Sequence, residues 1–159
     1  MTEHGHKGYM QLAFRQALRA RDCGEVPVGA VLVDGSEVIG TGFNQPILAS
    51  DPTAHAEIVA LRDAGRNLQN YRFTGATLYV TVEPCLMCTG ALVHARIGTL
   101  VYGTPEPRTG AVTSVMRALD HPALNHRVNV VNNVMMDQCA ELMQEFFRDR
   151  RNKLSITSD

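Results

Sequence analysis

No run of apolar residues in this 159-residue sequence approaches the length of a membrane span, so a hydrophobic helix crossing a bilayer is excluded. The opening, MTEHGHKGYMQLAF, lacks the basic-then-apolar order of a secretory leader, and the expectation is a cytoplasmic protein with no membrane partner. Cysteine is scarce. Cys23, Cys85, Cys88 and Cys139 are too few and too unevenly spaced for a disulfide framework, and a reducing compartment would keep them as thiols. Two of them stand close together, which suggests metal. Excess charge is missing as well: the formal net charge is −1, so nucleic acid cannot be held by overall attraction and needs a local patch. Lysine is nearly absent, and 13 of the 15 basic residues are Arg, a side chain suited to bidentate phosphate contacts and stacking. Neither an internal repeat nor a low-complexity tract occurs. What remains, 45% hydrophobic content in one short chain, suits a single domain over 1–159 with a packed core, its last residues from Ser155 to Asp159 frayed.

Periodicity supplies the elements. Met10, Phe14, Ala17, Leu18 and Arg21 follow a helical repeat, so Gly5 to Cys23 reads as an amphipathic helix stopped by Gly24. Pro27 to Val33 and Glu37 to Phe43 are apolar runs separated by Asp34-Gly35, the signature of a hairpin. Asp51-Pro52 predicts a helix start, with Ala54, Ile58 and Leu61 as the buried stripe up to Gly65. Ala76 to Val82 is a dense strand that Glu83-Pro84 ends, and Cys85 to Ala95 reads as a helix. Two further strands are expected at Ile97 to Gly103 and Val128 to Val134. Between them, Thr104 to Asn125 reads as a loop with one short helix, and Cys139, Leu142, Met143, Phe146 and Phe147 mark a closing helix. Helices alternating with strands apolar on both faces predict a three-layer α/β/α sandwich around a central mixed sheet of five strands.

The chemistry lies in two short stretches. The first is Thr53-Ala54-His55-Ala56-Glu57 and the second is Glu83-Pro84-Cys85-Leu86-Met87-Cys88. Either half alone is unspecific, but together, each at a helix start, they point to one site. Cys85 and Cys88 are three apart and can reach a single ion from one helix face. Thiolates at a helix N-terminus are stabilised by its free N–H groups and dipole, which also keep an imidazole neutral. Two thiolates and one imidazole from His55 match zinc, one ion per subunit, and leave the fourth position to water, as in catalytic sites. Glu57 lies about 200° from His55 round an ideal helix, badly placed to ligate the same ion. A carboxylate near the metal but off it suits a proton shuttle, taking a proton from zinc-activated water.

His-x-Glu followed by Pro-Cys-x-x-Cys is the signature of zinc deaminases. With Glu25 to Val31, Asn44, Asp51 to Glu57, Arg96-Ile97, Thr109-Gly110-Ala111 and Asn125-His126-Arg127, the chain resembles the bacterial tRNA-specific adenosine deaminases from about Tyr9 to Arg151. The resemblance implies a cytidine deaminase-like fold, a homodimer, and conversion of adenosine to inosine at the wobble position of a tRNA anticodon, in bacteria an arginine tRNA. Zinc-bound hydroxide would attack C6 of an adenine flipped from the anticodon loop, Glu57 carrying the protons. It further implies that Val28 and Asn44 border that adenine, that Ala56 and Glu57 meet its polar edge, and that Arg148, Arg150, Arg151 and Lys153 meet the anticodon stem-loop. Where the family has Asp, then Ala or Pro, then a basic residue, this chain has Glu106-Pro107-Arg108. Glu106 is thus the candidate for a ribose 2′-hydroxyl contact, with Arg108 beside it.

Other readings stay open at this stage. Members of the same superfamily acting on free guanine or cytidine share the metal motif. A non-enzymatic RNA-binding module with structural zinc would need a fourth ligand from Cys23, Cys139, His94, His121 or His126. Isolated Cys23 and Cys139 fit core packing. His126 could brace a loop as readily as touch RNA. Leu86, Met87, Leu92 and Val93 exceed what one buried face requires and fit either dimer burial or sheet packing.

Overall fold

A computed structural model describes residues 3–158; Met1, Thr2 and Asp159, the last within the end expected to fray, lie outside the described residues. Five strands form one sheet: β1 (Gly29–Asp34), β2 (Glu37–Phe43), β3 (Thr77–Val82), β4 (Thr99–Thr104) and β5 (Asn129–Val131), in the order β2-β1-β3-β4-β5. β1 pairs antiparallel with both β2 and β3, whereas β3, β4 and β5 run parallel, so the sheet is mixed. The helices are α1 (Glu3–Asp22), α2 (Pro46–Ala49), α3 (Ala56–Leu68), α4 (Leu86–His94) and α5 (Met136–Ile156), with a short 3-10 turn at Ala118–Asp120. Among the described residues no helix is long and apolar enough to cross a membrane.

The period-2 pattern of the strands explains the layers. Ala30 and Leu32 of β1, Leu78 and Val80 of β3, and Leu100 and Tyr102 of β4 join one core with Ala56, Ala60 and Ala64 of α3 and Leu92 of α4. The intervening Val31, Val33, Tyr79 and Val101 join the other, against Met10 and Ala13 of α1. Each central strand is therefore apolar on both faces, and each face carries helices.

Small residues set how closely the helices sit. A Cβ at Gly42 would overlap the backbone carbonyl of Ala56, and one at Gly40 would overlap that of Ala60. On the helix side α3 offers Ala56, Ala60 and Ala64, one alanine per turn and all fully buried. Backbone thus rests on backbone, and the N-terminus of α3 is pinned beside the end of β2. Gly103 does the same for α5, where a Cβ would lie 2.6 Å from Cys139 Sγ.

Four expectations shift at the edges. The helix foreseen from Asp51-Pro52 begins only at Ala56, because Asp51 Oδ1 accepts the Thr53 N–H (2.8 Å) and hydroxyl (2.7 Å) and closes a local turn instead. β5 stops at Val131, and Asn133 follows with φ 62°, a conformation Asn tolerates. α5 runs through Ile156, beyond the apolar stripe, since its last turns are exposed all round and carry no periodic signal. The single turn α2 has no buried residue and left no pattern to read.

Gly42→Ala should lower stability by about 1–3 kcal/mol, the usual cost of overpacking. Urea unfolding would register this as a lower midpoint at unchanged slope. An unchanged midpoint would mean that α3 is not seated on the β2 backbone.

Candidate active site

Two chain reversals bring the two motifs together. After the Asp51 turn, His55 takes an extended conformation (φ −70°, ψ 154°) and becomes the N-cap of α3. After β3, Glu83-Pro84 carries the chain to Cys85, also extended (φ −77°, ψ 177°), which is the N-cap of α4. Neither side chain caps its own helix. Both are left to face a common point, toward which the first-turn N–H groups of two helices are also directed. Cys88, fully buried in the first turn of α4, completes the group.

His55 Nδ1 lies 3.5 Å from Cys85 Sγ and 3.7 Å from Cys88 Sγ. The three candidate ligand atoms all fall within 4.8 Å of one another, and among the described residues no other group of His, Cys, Asp or Glu is placed to hold a metal. With ordinary zinc bond lengths to sulfur and imidazole, the N···S edge of a tetrahedral site is about 3.6 Å. The side chains are therefore already spaced as ligands of such an ion. None of Cys23, Cys139, His94, His121 or His126 joins them, so among the described residues no fourth protein ligand closes the group.

Electrostatics follow the same geometry. The Cys88 thiol donates to Cys85, and this bond, together with His55, draws the Cys85 thiol down to about 4 despite partial burial. Cys88 is correspondingly pushed up, first by that shared bond and then by burial and by Glu57. His55 is raised, chiefly by its hydrogen bond with Cys85 and further by the charge of Glu57, against the opposing effect of burial. Glu57 itself is buried and raised above the ordinary carboxylate range by desolvation, with Cys88 within hydrogen-bonding reach. It stands outside the three-ligand group. The reason differs from the helical-wheel expectation: His55 precedes the helix, and Glu57 is its second residue.

His55, Glu57 and Cys85 line a pocket of about 160 Å³ together with Val28, Asn44, Val82, Glu106 and Met143. Asn44 donates its backbone N–H to the Val28 carbonyl (3.0 Å), which fixes that rim. Ala56 is buried beneath, its backbone at the start of α3. A wider groove of about 590 Å³ shares Val82, Glu106 and Met143 with the pocket and adds Arg108, Phe147, Arg148 and Arg151. Among the residues expected to meet RNA, three border neither cavity: His126, its Nε2 bonded to the Ile97 carbonyl (2.7 Å) in a loop-bracing contact, Arg150, its guanidinium over the Phe146 ring, and exposed Lys153.

Sequence reasoning missed three participants. Met143 and Phe147 sit on an apolar stripe that looks like core, yet they border the cavities. Glu83, which opens the second motif but was given no role there, is buried and accepts hydrogen bonds from the Glu106, Val112, Thr113 and Ser114 backbones and from the Ser114 hydroxyl. Burial would push its carboxyl up, but those donors outweigh it and hold it below the usual range.

Residues 4–151 match the MafB19-like deaminase family. A tRNA-specific adenosine deaminase of Haemophilus influenzae is 47% identical over 92% of this chain and 86% of its own length. A solved structure described in a study of A-to-I editing by tRNA:A34 deaminases at the wobble position of transfer RNA superposes with a TM-score of 0.82 at 41% identity. It matches 85% of this chain and 98% of its own. A guanine deaminase from Nitrosomonas europaea has the same fold (TM-score 0.76 over 88% of this chain and 83% of its own) at only 20% identity. This chain therefore belongs to the MafB19-like deaminases and, within them, to the tRNA-specific adenosine deaminases.

Proposed function

We propose that this protein is a cytoplasmic, single-domain, zinc-dependent deaminase that converts adenosine to inosine at the wobble position of a tRNA anticodon, an arginine tRNA in bacteria. The observation that carries the proposal is an open three-ligand group beside a buried carboxyl, in a pocket that continues into an arginine-lined groove. The pocket volume of about 160 Å³ is well below that of sites that engulf a whole small molecule, and suits one flipped base with its sugar and phosphates outside.

His55, Cys85 and Cys88 would hold one zinc ion per subunit, which when bound supplies Lewis acidity and lowers the pKa of water to about 7. Glu57, kept protonatable by burial, takes one proton from the attacking water and gives it to the ring nitrogen, then takes the second from the new C6 hydroxyl and gives it to the departing amine. Water thus enters at C6 as ammonia leaves. Val28 and Asn44 border the base, and the backbone at Ala56 and Glu57 presents N–H groups to its edge. Outside the pocket, Arg108, Arg148 and Arg151 suit phosphates, and exposed Phe147 offers a ring for stacking a neighbouring base. Glu106, half-buried at the rim, is the candidate acceptor for a ribose hydroxyl.

The second subunit would cover α4. Leu86 and Met87, next to both cysteine ligands, are exposed, and Leu86 lines a shallow apolar cavity together with exposed Met116. Gly90 adds an open backbone patch where a Cβ would meet nothing. Exposed apolar side chains around such a cavity suit an isologous dimer. Sedimentation should give a dimer for the parent protein and a monomer for the Leu86→Asp, Met116→Asp double variant; a monomeric parent would remove this part of the proposal.

Glu57→Ala should retain about one zinc per chain and lose at least about 100-fold in inosine formation on transcribed arginine tRNA, read by sequencing the wobble position. Retained activity would sink the role of Glu57. Turnover of free adenosine, cytidine or guanine by the parent, with none on tRNA, would overturn the substrate.

Because Cys85 is drawn down to about 4, it is a thiolate above that pH and neutral below it. In metal-stripped protein at pH 6, iodoacetamide should label Cys85 well before exposed Cys23, and reloading zinc should protect Cys85 alone. Equal labelling of the two would contradict the shared-proton geometry.

A further inference from the structure

Loop 105–114 forms one wall of the pocket through Glu106 and Thr109, opposite the helix that carries Glu57. What holds that wall is the Glu83 carboxylate. Its Oε1 accepts the Glu106 N–H (3.2 Å) and the Ser114 hydroxyl, and its Oε2 accepts the N–H groups of Val112 (3.1 Å), Thr113 (2.9 Å) and Ser114 (3.0 Å). The side chain is only 3% exposed, and no Lys or Arg forms an ion pair with it among the described residues. One carboxylate thus ties the first residues of the loop to the last.

A second observation, independent of those bonds, is Gly110. A Cβ there would run into the Glu83 carboxyl and would stand 2.6 Å from the Glu106 carbonyl oxygen. The glycine of the Thr109-Gly110-Ala111 motif is small because Glu83 fills the space a side chain would need. The loop also closes on the chain next to Glu83, since Ala111 donates to the Pro84 carbonyl (2.9 Å). Pro84 leads directly into Cys85, so one strand end presents both a metal ligand and the anchor of the opposite wall.

Glu83 borders the pocket, but it has no capacity left for proton transfer. A carboxylate offers about four lone-pair positions, and five donors already occupy this one. Glu106 is held in turn, its Oε1 accepting the Arg108 N–H (2.9 Å). Two carboxylates therefore act in series, Glu83 fixing the backbone of Glu106 and Glu106 fixing that of Arg108.

We propose that Glu83 is a positioning residue for the substrate: it sets where Glu106, Arg108 and Thr109 stand relative to the metal ligands, and so governs how tightly the nucleotide is held. This rests on the substrate assigned above. Glutamine in its place would turn an amide N–H₂ toward backbone N–H donors, leaving several of them unpaired.

The test is steady-state kinetics of zinc-loaded Glu83→Gln on a transcribed anticodon stem-loop. KM should rise at least about ten-fold, with kcat within roughly two-fold of the parent and zinc content unchanged. Glu106→Ala should also raise KM, and the double variant should be no worse than the weaker-binding single variant, because both act on one wall. An unchanged KM, additive effects, or a fall in kcat accompanied by zinc loss would overturn the proposal, the last by reducing Glu83 to a support for Cys85. If Glu83→Gln does not fold, Ser114→Ala removes one donor only and should raise KM several-fold; no change there is equally fatal. A parent inactive on the stem-loop would refute the substrate instead. The anchor is then judged without substrate, by trypsin cleavage after Arg108 read by mass spectrometry. Cleavage should be at least about ten-fold faster in Glu83→Gln, or in Ser114→Ala several-fold, and equal rates would overturn it.

Discussion

Because Gly40 and Gly42 present no side chain to α3, the helix backbone rests on the sheet itself, and the position of its first residue follows from the position of β2. The active site depends on this contact. His55 is the residue before α3 and Glu57 the second within it, so neither can move without the helix, and the helix cannot move without the alanine ladder at 56, 60 and 64. On the other side of the site, α4 follows β3 after two intervening residues and Cys85, which leaves little slack between a central strand and the two thiols. Precision in the ligand spacing comes from the sheet, on which both helix starts are seated.

The two helix starts do electrostatic work in common. Each ends in an extended residue that donates its side chain to the site and leaves its helix uncapped, so the unsatisfied N–H groups act on the cluster rather than on a capping oxygen. In that field one thiol ionises readily and the other keeps its proton, while desolvation raises Glu57 above the ordinary carboxylate range. Similar residue types thus acquire opposite proton affinities within a few ångströms, a frequent mark of catalytic sites.

Much of this was legible in the sequence. The strands were readable because each central one is apolar on both faces, and the ligands because two short motifs fall at helix starts. Where the reading was less sharp, a local interaction had displaced a general rule. The Asp51 side chain spent its capping capacity on Thr53, moving the helix start by several residues and making His55 a cap rather than a first-turn residue. The exposed end of α5 carries no apolar rhythm to detect. Glu83 was invisible for a different reason: its partners are backbone N–H groups 23 to 31 residues away, and main-chain donors have no sequence signature.

That same property bears on how the pocket can change. The anchors at 106, 112, 113 and 114 are backbone amides, which every residue except proline possesses, and the Ser114 hydroxyl is the single side-chain tie. The loop is therefore fastened without committing most of its own side chains. Substitutions that face the substrate can accumulate there while the wall keeps its place, so a lineage could explore new nucleotide partners by altering the loop's chemistry and leaving its architecture, and the metal site across from it, as they stand.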